Sequence, residues 1–159
     1  MPPAEERVVS SLRDLGVPYE LIEIDPAFAD TAAFCEKYGY SLERSCNTII
    51  VASKKEPKKF VACVVLAHTR LDVNKRVTRL MGVPKASFAT AEEMMTLTGM
   101  QVGGVTPFSL PPGVPLYVDE RIMANAWVIL GGGGRTLKIK TSPAVFEKLG
   151  AEVISGLGA

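Results

Sequence analysis

Thr98–Pro115 reads TGMQVGGVTPFSLPPGVP, and eight of its eighteen residues are glycine or proline. Proline fixes the chain, while glycine allows a backbone to come close to a neighbour or a ligand. At the centre lies Gly103-Gly104-Val105-Thr106-Pro107. With no side chain at either glycine, peptide N–H groups there can reach a bound carbonyl or phosphate oxygen directly. The same punctuation also suits an ordered surface crossover that binds nothing. Both readings stand at this point.

Upstream of this loop, Thr90-Ala91-Glu92-Glu93 matches a capping box and opens a helix that stops at Gly99. Lys85–Phe88 reads as a short strand before it. Further upstream, Asn47–Ala52 (NTIIVA) and Phe60–Leu66 (FVACVVL) read as the arms of a hairpin around the charged turn KKEPKK. That turn is a solvated tip with a phosphate contact left open. Asp72 caps a basic helix over 73–81, closed by Gly82. Near the N-terminus, Val8, Val9, Leu12 and Leu15 recur at helical spacing, Tyr19–Ile24 alternates like a strand, and Asp30 or Thr31 caps a helix ending at Gly39. Downstream, 116–118, 127–130 and 137–140 read as strands, the last two joined by Gly131-Gly132-Gly133-Gly134. Ser142-Pro143 starts a final helix. Helices and strands alternate without a regular βαβ period, which predicts an α/β fold of the α+β type. The expected form is one domain over 1–159, with a mixed, bent sheet of about six or seven strands surrounded by helices.

Composition narrows the function. The chain has 159 residues and a net charge of +1. A protein that grips a long duplex carries a basic excess, whereas one that holds only the end of an RNA need not. No helix-turn-helix is recognisable, so DNA is not an expected partner. Three cysteines, one histidine and no CxxC pair argue against a disulfide framework or a zinc site, and the expected compartment is a reducing cytoplasm. The opening MPPAEERVV has no apolar core of a signal peptide, and no stretch is apolar enough to span a bilayer, so no membrane partner is expected. No cofactor or metal is expected.

The chemistry-bearing residues are sparse. The tetraglycine run is not a phosphate-binding P-loop, because no Gly-Lys-Ser/Thr follows and no helix opens there. It reads as a hairpin turn or bulge whose glycines admit a neighbouring backbone or a ligand. His68 follows a strand, where either a site residue or a hydrogen-bonded structural histidine can sit. Cys46 reads as a small buried hydrophobe. Spacing supports no nucleophilic triad and no carboxylate pair. The strand ends at Asn47, His68, Gly103–Pro107, Asp119 and Gly131–Gly134 are grouped as the walls of one pocket.

The string ATAEEMMTLTGMQVGGVTPFSLPPGVPLYVDERI closely resembles the YbaK/ProX family, the aminoacyl-tRNA editing domains related to the insertion domain of bacterial prolyl-tRNA synthetases. The marks are Thr98-Gly99, Gly103-Gly104-Val105-Thr106-Pro107-Phe108 and Asp119. The likeness implies a free-standing deacylase that hydrolyses the ester of a mischarged tRNA, such as tRNA-Pro carrying alanine or cysteine. Its partner would be the aminoacylated acceptor end, with an aminoacyl-tRNA synthetase as a further partner. Expected catalytic residues are Asn47, Gly103 and Gly104, with substrate contacts from Thr48, His68, Val105, Thr106, Pro107, Asp119, Gly131 and Gly132. The chain departs from the family at one key place. Asn47 stands where members carry a lysine at the start of the buried strand, so an uncharged amide replaces an ammonium. Lys54 and Lys55 cannot substitute, since seven residues of strand span roughly 23 Å. Gly131 likewise stands where many members have serine. A binding module without catalysis is the alternative function.

Overall fold

Strand β3 (Phe60–Leu66) is apolar at every position because both its faces are covered. Ala62, Val64 and Leu66 enter one core with Leu12, Phe108 and Phe146, while Val61, Cys63 and Val65 enter a second with Val51, Val77 and Leu157. The computed structural model describes residues 1–159. In it, β3 pairs antiparallel with β2 (Cys46–Ser53), confirming the hairpin. The remaining strands are β1 (Tyr19–Glu23), β4 (Ala86–Phe88), β5 (Leu116–Asp119), β6 (Val128–Gly131), β7 (Leu137–Thr141) and β8 (Glu152–Ile154). They form two sheets within one mixed α/β domain, β1-β7-β6 and β4-β2-β3-β5-β8.

The expected single sheet of six or seven strands is therefore corrected to eight strands in two sheets. A lone bridge, Ser45 to Ile129, joins the sheets before they diverge. No further pairing joins the sheets beyond that point, and a gap lies at the N-terminal half of β2. The eighth strand carries no sequence signal of its own. It has three residues, two of them exposed, and exists because it completes the edge of β5 in parallel.

Five α-helices surround the sheets: α1 (Pro3–Asp14), α2 (Thr31–Tyr38), α3 (Thr78–Met81, preceded by a wider turn over Val73–Val77), α4 (Ala91–Thr98) and α5 (Ala144–Lys148). The capping box of α4 forms as read, with Thr90 and Glu93 exchanging side-chain and backbone hydrogen bonds. Asp30 occupies the N-cap of α2, but its side chain makes no capping bond. The carboxylate instead meets Arg135 at 3.4 Å. Phe34 stacks on Tyr40 with ring centroids 5.3 Å apart, and Phe34, Cys35 and Ile129 share a small core. This packing fixes α2 over the three-stranded sheet.

The tetraglycine turn is covered by two elements. Glu5 of α1 is buried and accepts hydrogen bonds from Thr136 N (3.0 Å) and Thr136 Oγ1 (2.6 Å). The loop between α4 and β5 lies on the other side. Gln101 N donates to the Gly133 carbonyl at 3.0 Å, and Gly133 N donates to the Gly104 carbonyl at 2.6 Å. The contact is backbone on backbone, and a Cβ at Gly104 would collide with the main chain of Gly134. A methyl group there must force the two segments apart. Gly104→Ala is expected to destabilise the fold by about 1–3 kcal/mol, read as a lower urea midpoint with the slope unchanged.

Candidate functional site

A cavity of about 390 Å³ occupies the gap between the sheets. One wall is β2, contributing Cys46, Asn47, Thr48 and Ile49. The start of α2 supplies Asp30, Thr31 and Ala32. The rigid loop supplies Gly103 and Val105, and the β6–β7 hairpin supplies Gly131 and Lys138.

The β2 wall exposes main chain for a reason that the hydrogen-bond ladder gives. Ala67 N donates to Ser45 O, and Ser53 N donates to Lys59 O. These closely spaced pairs bind odd-numbered residues of β2 to β3, so the peptide groups of Cys46 and Thr48 turn the other way. Strand β4 covers that edge only from Val51 to Ser53. The edge beside Thr48 therefore faces the cavity. Thr48 Oγ1 is buried and has no hydrogen-bond partner. The Asn47 Oδ1 accepts from Thr31 Oγ1 at 2.6 Å, which holds the amide across the mouth of α2, and Nδ2 has no partner in the protein.

On the loop wall, Gly103 has φ +86°, a left-handed conformation that favours glycine. A Cβ there would meet Arg135 Nη1 at 2.7 Å and Asp30 Oδ1 at 2.9 Å. Arg135 donates to Val102 O at 2.7 Å and to Pro26 O at 2.9 Å, clamping the loop to the approach to α2. Neither Gly103 N–H nor Val105 N–H donates a hydrogen bond within the protein. Gly104 N–H does: it is bound to Gln101 O at 2.9 Å.

Lys138 supplies the cation. Its side chain is only 4% exposed, and Nζ donates to the Gly103 carbonyl at 3.0 Å. The ammonium also stands 5.6 Å from the centre of the Phe34 ring. No carboxylate lies within ion-pairing distance; the nearby Asp30 pairs with Arg135. Burial lowers the Lys138 pKa to about 8, with the charge of Asp30 pulling weakly the other way. The Cys46 thiol is pushed upward by burial, so it is neutral at ordinary pH.

Of the residues read from the sequence, the structure brings Asn47, Thr48, Gly103, Val105 and Gly131 together. It leaves six out, and these are corrected. Gly104 is packed behind the wall with its N–H already used. Thr106 and Pro107 are buried beside Phe108, which is itself fully buried in the core. Gly132 is pressed against Leu137. His68 is exposed on the turn after β3 and does not line the cavity. Asp119 is a structural carboxylate: buried, it accepts from Arg121 N at 2.9 Å and Gly158 N at 2.8 Å, and it pairs with Arg121 at 3.3 Å.

Lys138 escaped the sequence reading for a physical reason. LKIKT alternates, and a period-two pattern sends its lysines to solvent. Helix α2 covers that face. The available signal was the hairpin: pairing strands across the tetraglycine turn places Lys138 opposite Gly131, already a pocket residue. The cavity thus holds an ammonium after all, delivered by β7 instead of β2.

The cavity of this mixed α/β domain is walled by main chain of β2 and the rigid loop, one carboxamide and one buried cation. The family model for the aminoacyl-tRNA editing domain matches residues 25–149. The chain belongs to this aminoacyl-tRNA editing domain family. Among solved structures, a candidate trans-editing enzyme for prolyl tRNA synthetase is similar over 98% of this chain and 97% of its own, with 25% identity and a TM-score of 0.83. The protein APE2540 is similar over 96% and 99%, with 28% identity and a TM-score of 0.85. The protein YwhH of Bacillus subtilis (strain 168) is 25% identical over 124 residues, 78% of this chain and 76% of that protein.

The buried cation should leave a mark on stability. Between about pH 8 and the ordinary lysine pKa, the unfolded chain holds a proton that folded Lys138 has released. Stability therefore rises with pH across that window. Relative to Lys138→Met, the wild type is expected to gain up to roughly 3 kcal/mol as pH rises through it, measured by urea unfolding of both proteins at neutral pH and near pH 10. A gap that does not change with pH would place the ammonium in water-like surroundings.

Proposed function

We propose that this protein is a trans-acting aminoacyl-tRNA deacylase, a hydrolase that clears mischarged tRNA in the cytoplasm. The observation that carries the reading is that one cavity is lined by Gly103 and Val105, whose peptide N–H groups make no hydrogen bond within the protein, together with the Asn47 carboxamide. Such donors serve a carbonyl whose oxygen gains negative charge as water adds. Membership in the editing-domain family supplies the substrate class.

In this reading, the acceptor end of the tRNA enters with its amino acid, and the ester carbonyl rests on the Gly103–Val105 wall. Asn47, steadied by Thr31, holds the carbonyl or a ribose hydroxyl. Water adds to the carbonyl carbon, helped by the ribose hydroxyl of the substrate itself. The ester bond then breaks, releasing a free amino acid and an uncharged 3′ end. The size of the cavity selects the amino acid, and small ones such as alanine or cysteine on tRNA-Pro are the first to test. A synthetase is a further partner in this proposal; DNA and membranes have no part in it.

One observation favours a second reading, a binding module that does not catalyse. The cavity contains no histidine, and its one carboxylate, Asp30, is paired with Arg135. Lys138 is protonated at neutral pH, so no lining side chain is a free base there and turnover depends on the substrate. Release of free amino acid from a full panel of mischarged tRNAs separates the two readings. The deacylase reading expects turnover of at least one member, with Asn47→Ala lowering it about 10²–10³-fold. Binding of an aminoacyl-adenosine analogue without any turnover would establish the second reading.

A further inference from the structure

We propose that Lys138 is a catalytic residue of this site: its ammonium, held at the Gly103 carbonyl, stabilises the negative charge that develops on the ester carbonyl oxygen docked at the Gly103 and Val105 amides. The inference rests on the deacylase reading and adds to it the group that supplies the charge.

Lys138 is placed by three independent contacts. On β7 it pairs with Gly131 of β6 and Ile22 of β1, so its position along the sheet is fixed by register. The hydrogen bond to Gly103 O fixes Nζ on the same peptide segment that offers the unengaged N–H groups. The Phe34 ring backs it on the α2 side. An ammonium has three donors, and the Gly103 carbonyl uses one. A lysine this buried ordinarily requires a carboxylate partner. Here none is within ion-pairing distance, so the charge is only partly compensated until an anion arrives. Asp30 does not satisfy it, because Arg135 and solvent share that carboxylate.

The groups facing Lys138 are few. Asp30 and Cys35 of α2 favour its charged form, whereas Arg135 of the β6–β7 turn opposes it. On the same face of its own sheet lie Lys140, taken up over the Trp127 ring, and Glu20, opposite Lys140. The cavity-lining Cys46 is a neutral thiol. Lys138 is thus charged at neutral pH and loses its proton at about pH 8.

The step balances without proton transfer to lysine. The oxygen of water bonds to the carbonyl carbon while the C=O π pair moves onto oxygen, forming the oxyanion beside the ammonium. Collapse of that intermediate re-forms the C=O bond and expels the ribose oxygen, which takes one proton of the attacking water while the other passes to solvent. The amino acid leaves as its carboxylate. Lys138 keeps its proton throughout and acts by charge alone.

Two measurements test this. The first is hydrolysis of a mischarged tRNA across neutral to alkaline pH, with the spontaneous rate subtracted. Lys138→Met is expected to lower kcat about 100-fold with KM little changed. The wild-type kcat should fall off above about pH 8. Lys138→Arg should retain most activity and lose that descending limb, because guanidinium stays charged. A Met variant with wild-type kcat, or an Arg variant with the same descending limb, overturns the proposal. The second measurement needs no turnover. The wild type should bind an anionic phosphonate analogue of aminoacyl-adenosine at least about tenfold tighter than the neutral 3′-amide, and Lys138→Met should lose that preference while still binding the amide. An equal preference in both proteins overturns the proposal. Failure of hydrolysis with the preference intact would remove the deacylase reading and leave the anion-binding role of Lys138 standing.

Discussion

Two glycine segments touch backbone to backbone, and the site depends on that contact. Gly104 lies on Gly134 closely enough that Gly104 has no room for a side chain, the buried Glu5 side chain closes off Gly134 from the other side, and paired hydrogen bonds at Gly133 hold the two segments in register. Packing of this kind is rigid because the only groups involved are peptides, which have no rotamers to adjust. The clamp fixes where Gly103 and Val105 present their amides. Because Gly131 and Lys138 belong to the hairpin on the other side of the contact, it also sets the distance between the amides and the cation.

The site is an opening that the fold leaves unfilled. Two sheets meet at the Ser45–Ile129 bridge and then part, and β4 covers only the distal half of the β2 edge. An unpaired strand edge in the interior is costly unless something satisfies it. Here a loop with its own unengaged N–H groups, a helix start and a buried lysine converge on it. A pocket assembled this way offers donors and positive charge, and at neutral pH its lining side chains include no histidine and no unpaired carboxylate. That balance suits stabilising charge on a bound acyl group, with the substrate providing its own proton chemistry.

The polar residues divide by how their bonding capacity is spent. Asp119 is fully committed to Arg121 and the C-terminal segment, and Glu5 to Thr136. These carboxylates hold the framework together, and the chemistry falls to groups whose capacity is left over: the Asn47 amide, the Thr48 hydroxyl, two peptide N–H groups and the Lys138 ammonium.

The sequence alone settled the local elements, because caps, turns and periodicity act over a few residues: the β2–β3 hairpin, the capping box at Thr90, the tetraglycine hairpin and the stiff loop. Together with the resemblance, it also marked Asn47, Gly103 and Gly131 as one site. It could not separate Gly104 from Val105, since which amide is already bonded depends on how the loop folds back. It read Asp119 as pocket-lining, although only three-dimensional contacts consume its carboxylate. Tertiary structure alone decided that the sheet splits in two, that β8 exists, and that Lys138 faces inward. The reason is common to all three. Burial and pairing partners come from segments far apart in the chain, and a five-residue strand such as LKIKT carries no information about which helix will cover it.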